Sequence, residues 1–183
     1  MPKANRFLLA VGLCLALAKT ISAAEVPAPG DAPGDSASQA LSHDAQQALV
    51  CETVTDWAAY QIVDLIRDDA RENLAVSSEG MQILRQIRLT EALASAAFDK
   101  LAPQADHESM YRDAVRKMQA YLKEDHDGAD ANTRKLVPVC QRTYMQMADA
   151  GELSQEQVQQ AKDASQESVA QLTEELQGSA EVR

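Results

Sequence analysis

The chain has 183 residues, with 17 Lys plus Arg against 28 Asp plus Glu and a formal net charge of −11 at pH 7. That balance excludes a general nucleic-acid binder, which needs a basic face to neutralise phosphates. Aromatic residues at 4%, with 7 Gly and 6 Pro, argue against an all-β domain with many tight turns, while 45% hydrophobic residues suffice for a core.

Lys3 and Arg6 precede an apolar run from Phe7 to Ala18, and Ser22, Ala23 and Ala24 follow it. Charge, a short apolar run and small residues in that order predict a secretory signal peptide over 1–24, cleaved after Ala24. The run of 12 residues is short of the roughly 20 that a spanning helix needs. Cys14 follows the bulky Leu13 in mid-run, which does not fit a lipidation site. Cleavage would remove Lys3, Arg6 and Lys19 and no acid, leaving 14 bases against 28 acids, a net of −14. The mature chain is expected to have no membrane span, to repel anionic membrane surfaces and to reside in a Gram-negative periplasm.

Cys51 and Cys140 then remain, an even pair that in an exported chain predicts one disulfide. No CxxC spacing and no matching His ligands point to a redox or metal pair.

Residues 25–41 hold Pro27, Pro29, Gly30, Pro33 and Gly34 without a periodic apolar face and predict a flexible leader. A helix is expected over 43–69, capped by Ser42, with a core stripe of Cys51, Val54, Ala58, Ile62 and Leu65 widened by Leu49, Trp57 and Ile66. Glu52 and Asp56 are expected to point away from that stripe. A second helix, 78–101, should bury Ile83, Leu84, Ile87, Ala94, Ala97, Phe98 and Leu101, entered through a Val76–Met81 staple and stopped by Pro103. A third starts after Asp106 and ends before Gly128, with Tyr111, Ala114, Val115, Met118, Tyr121 and Leu122 on one face. It carries the acid-before-base pairs Glu108–Arg112 and Asp113–Lys117.

The fourth helix, about 131–150 and stopped by Gly151, places Val137, Cys140, Tyr144 and Met147 on one face. Pro138 either kinks it or forms the first turn of a shorter helix. The fifth, 155–177, has the clearest start: Ser154 with Gln157 as a capping box and Leu153 with Val158 as a staple. Its stripe of Val158, Ala161, Ser165, Val169, Leu172 and Leu176 is narrow, which suits late packing or a partner chain. The expectation is an all-α bundle of four to five helices over 42–177, with one disulfide joining the first and fourth, and a disordered tail over 178–183.

Acidic charge concentrates in two stretches. Residues 42–72 and 152–177 each carry a net of −5, whereas 81–142 is nearly neutral. Asp64, Asp68, Asp69 and Glu72 in the first, and Glu167, Glu174 and Glu175 in the second, are candidate faces for a basic partner.

His43, His107 and His126 form no HExxH or i,i+4 pair, and there is no GxSxG, Gly-rich phosphate loop or CxxCH. Asp125, His126, Asp127 and Asp130 make the one dense ligand cluster, but Gly128 and Leu136 stand at the wrong positions for an EF-hand loop. This stretch reads as a polar turn between helices, with a weak cation site as the alternative. Met145 and Met147 would point about 200° apart on a helix, which does not suit a shared copper ion.

The segment Leu153-Ser154-Gln155-Glu156-Gln157 resembles the LTxxQ element of the periplasmic Spy/CpxP chaperone family, with Ser for Thr. The match covers five residues, and the Cys51/Cys140 pair departs from that family. Taken together, the residues lead us to expect an exported, non-enzymatic helical protein without cofactor that binds another protein, in the manner of an immunity or inhibitor protein or a small chaperone or adaptor. The alternatives are a weak cation-binding protein and an enzyme whose carboxylate pair is hidden in the linear sequence.

Overall fold

A computed structural model describes residues 41–72 and 77–181. The expected signal peptide, Val76 of the expected staple, and the leader up to residue 40 lie outside the described residues. Among the described residues there are five helices: α1 (His43–Arg71), α2 (Ser78–Leu101), α3 (His107–Glu124), α4 (His126–Asp149) and α5 (Gln155–Glu181). No strand occurs among the described residues.

Short polar side chains start each helix by accepting the amide hydrogens that the first turn leaves unpaired. Ser42 accepts from the Ala45 amide at 3.2 Å, Ser77 from Gly80 at 3.3 Å and Asp106 from Ser109 at 3.1 Å. The capping box at the head of α5 is reciprocal: Gln157 N–H donates to Ser154 Oγ at 3.1 Å, and Ser154 N–H donates to Gln157 Oε1 at 2.9 Å. Before it, Gly151 takes φ +72°, a left-handed conformation that glycine adopts without a Cβ clash. The Gly151 amide donates to Ala148 O and the Glu152 amide to Met147 O, which closes α4 as a Schellman motif.

Two boundaries depart from the sequence pattern. The fourth helix starts at His126, not near 131, because Asp125 caps it by accepting from the Gly128 amide at 2.9 Å. Pro138 therefore lies inside α4, which removes the first-turn alternative. At the other end, α5 continues to Glu181, past the expected stop at 177. Gly178 alone does not end a helix; its penalty is about 1 kcal/mol relative to Ala.

The helices enclose two apolar clusters. The first gathers Ala45, Ala48 and Cys51 of α1, Leu93, Ala94, Ala97 and Phe98 of α2, Cys140 and Tyr144 of α4, and Leu153 and Ala161. The second gathers Ala58, Ala59 and Ile66 of α1, Leu84 and Ile87 of α2, and Val169 and Leu172 of α5. Each large side chain fully buried in these clusters contributes roughly 1.5–3 kcal/mol by leaving water. The expected stripes are mostly the buried faces, with three corrections. Leu65 of α1, Leu101 of α2 and Tyr121 of α3 are exposed, because each lies at the edge of its stripe where no neighbouring helix covers it.

Cys51 and Cys140 stand at disulfide distance, S–S 2.04 Å and Cα–Cα 5.5 Å, joining α1 to α4 across 89 residues. The narrow stripe of α5 packs within the chain, chiefly on α2. Among the described residues no helix is long and apolar enough to cross a membrane.

Candidate functional site

A half-buried polar cluster, with Glu52 its one buried member, lies where α1, α2 and α3 meet. It is assembled by helical spacing: Glu52 and Asp56 on α1, Arg88, Glu91 and Ser95 on α2, and His107 and Tyr111 on α3 each share a face one or two turns apart. His107 bridges two carboxylates, with Nε2 at 2.7 Å from Glu52 Oε2 and Nδ1 at 2.7 Å from Asp99 Oδ1. Its ring stacks on the buried Phe98 at a centroid distance of 4.3 Å. Tyr111 donates its hydroxyl to Asp56 Oδ2 at 2.8 Å, and Arg88 Nη1 donates to Asp56 Oδ1 at 2.8 Å and to Glu91 Oε2 at 2.6 Å. Ser95 lies beside Glu52 and favours the charged form of its carboxylate. Arg88 Nε is buried without a hydrogen-bond partner among the described residues.

Burial sets the protonation of this cluster. It pushes Glu91 up to about 7 against the pull of Arg88, because a carboxylate loses its hydration there. Burial also raises Glu52 above the ordinary carboxylate range, more than His107 lowers it. For His107, burial pulls the imidazole down, but Glu52 and Asp99 outweigh it and hold the ring above its usual value. Burial, reinforced by Asp56, raises the Tyr111 phenol, so it stays a hydrogen-bond donor.

Glu52, Arg88, Glu91 and Ser95 also line a cavity of about 250 Å³ that Ala92, Ala164 and Ser168 complete. Its polar walls place two carboxylates, a guanidinium and two hydroxyls around one space between α1, α2 and α5. Chemically, such a lining can hold a polar group or move a proton near neutrality through Glu91.

Sequence reasoning missed this cluster. Glu52 and Asp56 were expected to point away from the core, yet Glu52 is buried and Asp56 half-buried. The correction follows from packing: α1 is covered on several sides, and α2 and α3 bring Arg88 and His107 against its polar face. The available signal was the set of i,i+4 polar pairs on three successive helices, of which His107 with Tyr111 is the most distinctive.

The expected acidic faces converge at one end. Arg67 of α1 donates through Nε and Nη2 to Glu175 Oε1 and Oε2 of α5, at 3.0 and 2.8 Å. That pair brings Glu174 and Glu175 beside the last turns of α1, which carry Asp64, Asp68, Asp69 and Glu72. Glu167 lies two turns earlier on the exposed side of α5. Arg71 pairs with Asp68 at 3.1 Å, relieving part of the unfavourable placement of acids at a helix C-terminus. Tyr60 and Leu65, 51% and 46% exposed, interrupt the acidic surface of α1.

The residues of the alternative cation site are engaged by helix formation and by α1. Asp125 caps α4, Asp130 accepts from Gln61 Nε2 of α1 at 2.7 Å, and His126 Nδ1 stands 3.9 and 3.8 Å from Asp127 and Asp130. Among the described residues no group of three or more His, Cys, Asp or Glu side chains is placed to hold a metal ion. On α3, Glu108 reaches Arg112 at 3.5 Å as expected, whereas Asp113 pairs with Arg116 at 2.9 Å, one position short of the expected Lys117.

Compared with protein-family models, with curated proteins and with solved structures, the chain matches none of them. The geometry alone therefore defines the class: over the described residues, an all-helical bundle with a cysteine bridge and a half-buried carboxylate–histidine–arginine cluster.

Proposed function

We propose that the mature chain is an exported, non-enzymatic binding protein that recognises a basic protein partner through the acidic end formed by α1 and α5. The observation that carries this reading is the Arg67–Glu175 pair, which sets two acidic segments, distant in sequence, side by side. A concentrated field of one sign speeds encounter with a cationic surface, and exposed Tyr60 and Leu65 supply apolar contact once the partner docks. Charge neutralisation in such an encounter is screened by salt. The test is a pull-down from periplasmic extract with the wild-type chain and with a Asp64→Asn, Asp68→Asn, Glu174→Gln variant. A partner retained at low salt by the wild type, lost at high salt and lost with the variant supports the reading. Binding that survives both changes contradicts it.

The cavity supports a second reading, an enzyme using the Glu52/Glu91 carboxylate pair. Glu91, protonated until about pH 7, has the proton affinity of a general acid near neutrality. Turnover of a generic hydrolase substrate, abolished by Glu91→Gln and retained by the acidic-end variant, would favour the enzyme over the binder.

A further inference from the structure

We propose that α3 is a proton-operated latch: a charged His107, bridging Glu52 of α1 and Asp99 of α2, holds the first turns of α3 against the bundle, and loss of its proton lets them lift. The inference stands independently of the partner-binding reading.

Three observations carry it. First, the apolar attachment of α3 is thin: near its start only Met110, half-buried, packs against the first cluster. Leu122 is its one buried residue, and it sits at the far end of the helix. Second, the first two turns are held by side-chain hydrogen bonds to other helices: His107 to Glu52 and to Asp99, both at 2.7 Å, and Tyr111 to Asp56 at 2.8 Å. Third, both ring nitrogens of His107 face carboxylate oxygens.

Only the imidazolium donates from both nitrogens; the neutral ring donates from one and turns a lone pair to the other. Removing the proton therefore turns one hydrogen bond into a lone-pair repulsion and takes the ion-pair attraction from the other, which keeps only its carboxylate charge. The other helices have more apolar anchorage: α1, α2 and α5 all contribute buried side chains to the apolar clusters, and α3 contributes none. Because His107 lies over Phe98, lifting it opens the end of the first cluster to water.

The groups around the ring are Glu52 and Asp56 from α1, Asp99, Arg88 and Glu91 from α2, and Tyr111 from α3 itself. Burial lowers the proton affinity of His107, and the two carboxylates raise it by more. A raised histidine is fully stabilising below its ordinary value near 6.5 and loses that contribution as the pH climbs through its higher folded value. The latch is thus closed on the acid side of neutrality and opens on the alkaline side.

The test uses the mature, disulfide-intact chain and reads backbone amide protection by NMR, corrected for intrinsic exchange, at about pH 6 and about pH 8.5. The expected result is a fall of about tenfold or more in protection over residues 108–118, clearly larger than the fall in α1 and α5, which follows global stability. His107→Gln should show low, pH-independent protection in α3. Asp99→Asn alters a largely exposed partner, so the fold should persist, and it should move the midpoint of the transition to lower pH. If α3 protection does not change with pH, if it falls equally in all helices, or if both variants titrate like the wild type, the latch is wrong.

Discussion

Helices α3 and α5 invert what their sequences suggest. On the sequence, α3 has the broad apolar face of a core helix, whereas α5 is mostly Gln, Glu, Asp and Ser with a narrow stripe. In the structure α5 contributes Ala161, Val169 and Leu172 to the two cores, and α3 buries Leu122 alone. The narrow stripe succeeds because α5 lies along α2 through its length, so each stripe residue meets a partner. The broad face of α3 meets less surface and is held at its start by polar side chains instead. Periodicity reports which side of a helix faces inward, not how much of the molecule waits there to receive it.

The comparison can be broken or sharpened by substitution. The largest effect should come from the bridge that ties α1 to α4, outside both helices compared. Replacing Cys51 and Cys140 by Ala removes a bridge closing 89 residues, with an expected loss of up to about 4–5 kcal/mol in urea unfolding. Next, Leu172→Ala in α5 should cost about 2–5 kcal/mol, the range for a truncated core leucine. Met118→Ala in α3 should cost well under half of that, because Met118 is only half-buried. Equal costs at the two positions would erase the contrast. Tyr111→Phe deletes one hydrogen bond of α3 and should cost about 0.5–1.5 kcal/mol. Ser154→Ala, which breaks the capping box of α5, belongs in the same range at about 1 kcal/mol.

Stability should also depend on pH with a definite sign. Glu52, Glu91 and His107 all have proton affinities raised by the fold. Raised groups favour the folded state when protonated. The Glu91 contribution is present below the ordinary carboxylate range and lost by about pH 7; that of His107 is lost on the alkaline side of its ordinary value. The urea midpoint is therefore expected to be higher at about pH 6 than at about pH 8.5, with His107→Gln flattening the alkaline part of the decline.

Much of this architecture was legible in the residues. Caps are local chemistry, so Ser42, Ser77, Asp106 and the Ser154–Gln157 box announced four helix starts. With Cys14 assigned to the expected signal peptide, the remaining two cysteines allowed one bridge, and they stand at disulfide distance. Asp125 was less legible: residues 125–130 read as a turn, yet the Asp125 amide closes α3 on Tyr121 O and its carboxylate starts α4. The buried cluster was least legible. Glu52 and Asp56 look like an outer face until α2 and α3 cover them, and which helices do so is a tertiary fact that no single-helix pattern contains. Convergence of the acidic segments was hidden for the same reason: Arg67 and Glu175 are 108 residues apart.

The contrast between the two helices is tested most directly by native-state hydrogen exchange at one mildly alkaline pH across low urea concentrations. The account predicts that the amides of α3 exchange through a subglobal opening of lower free energy, while those of α5 exchange only with global unfolding. If α5 opened first, or if both helices shared one global isotherm, α3 would not be the weakly held element and the polar attachment argued for it would be contradicted.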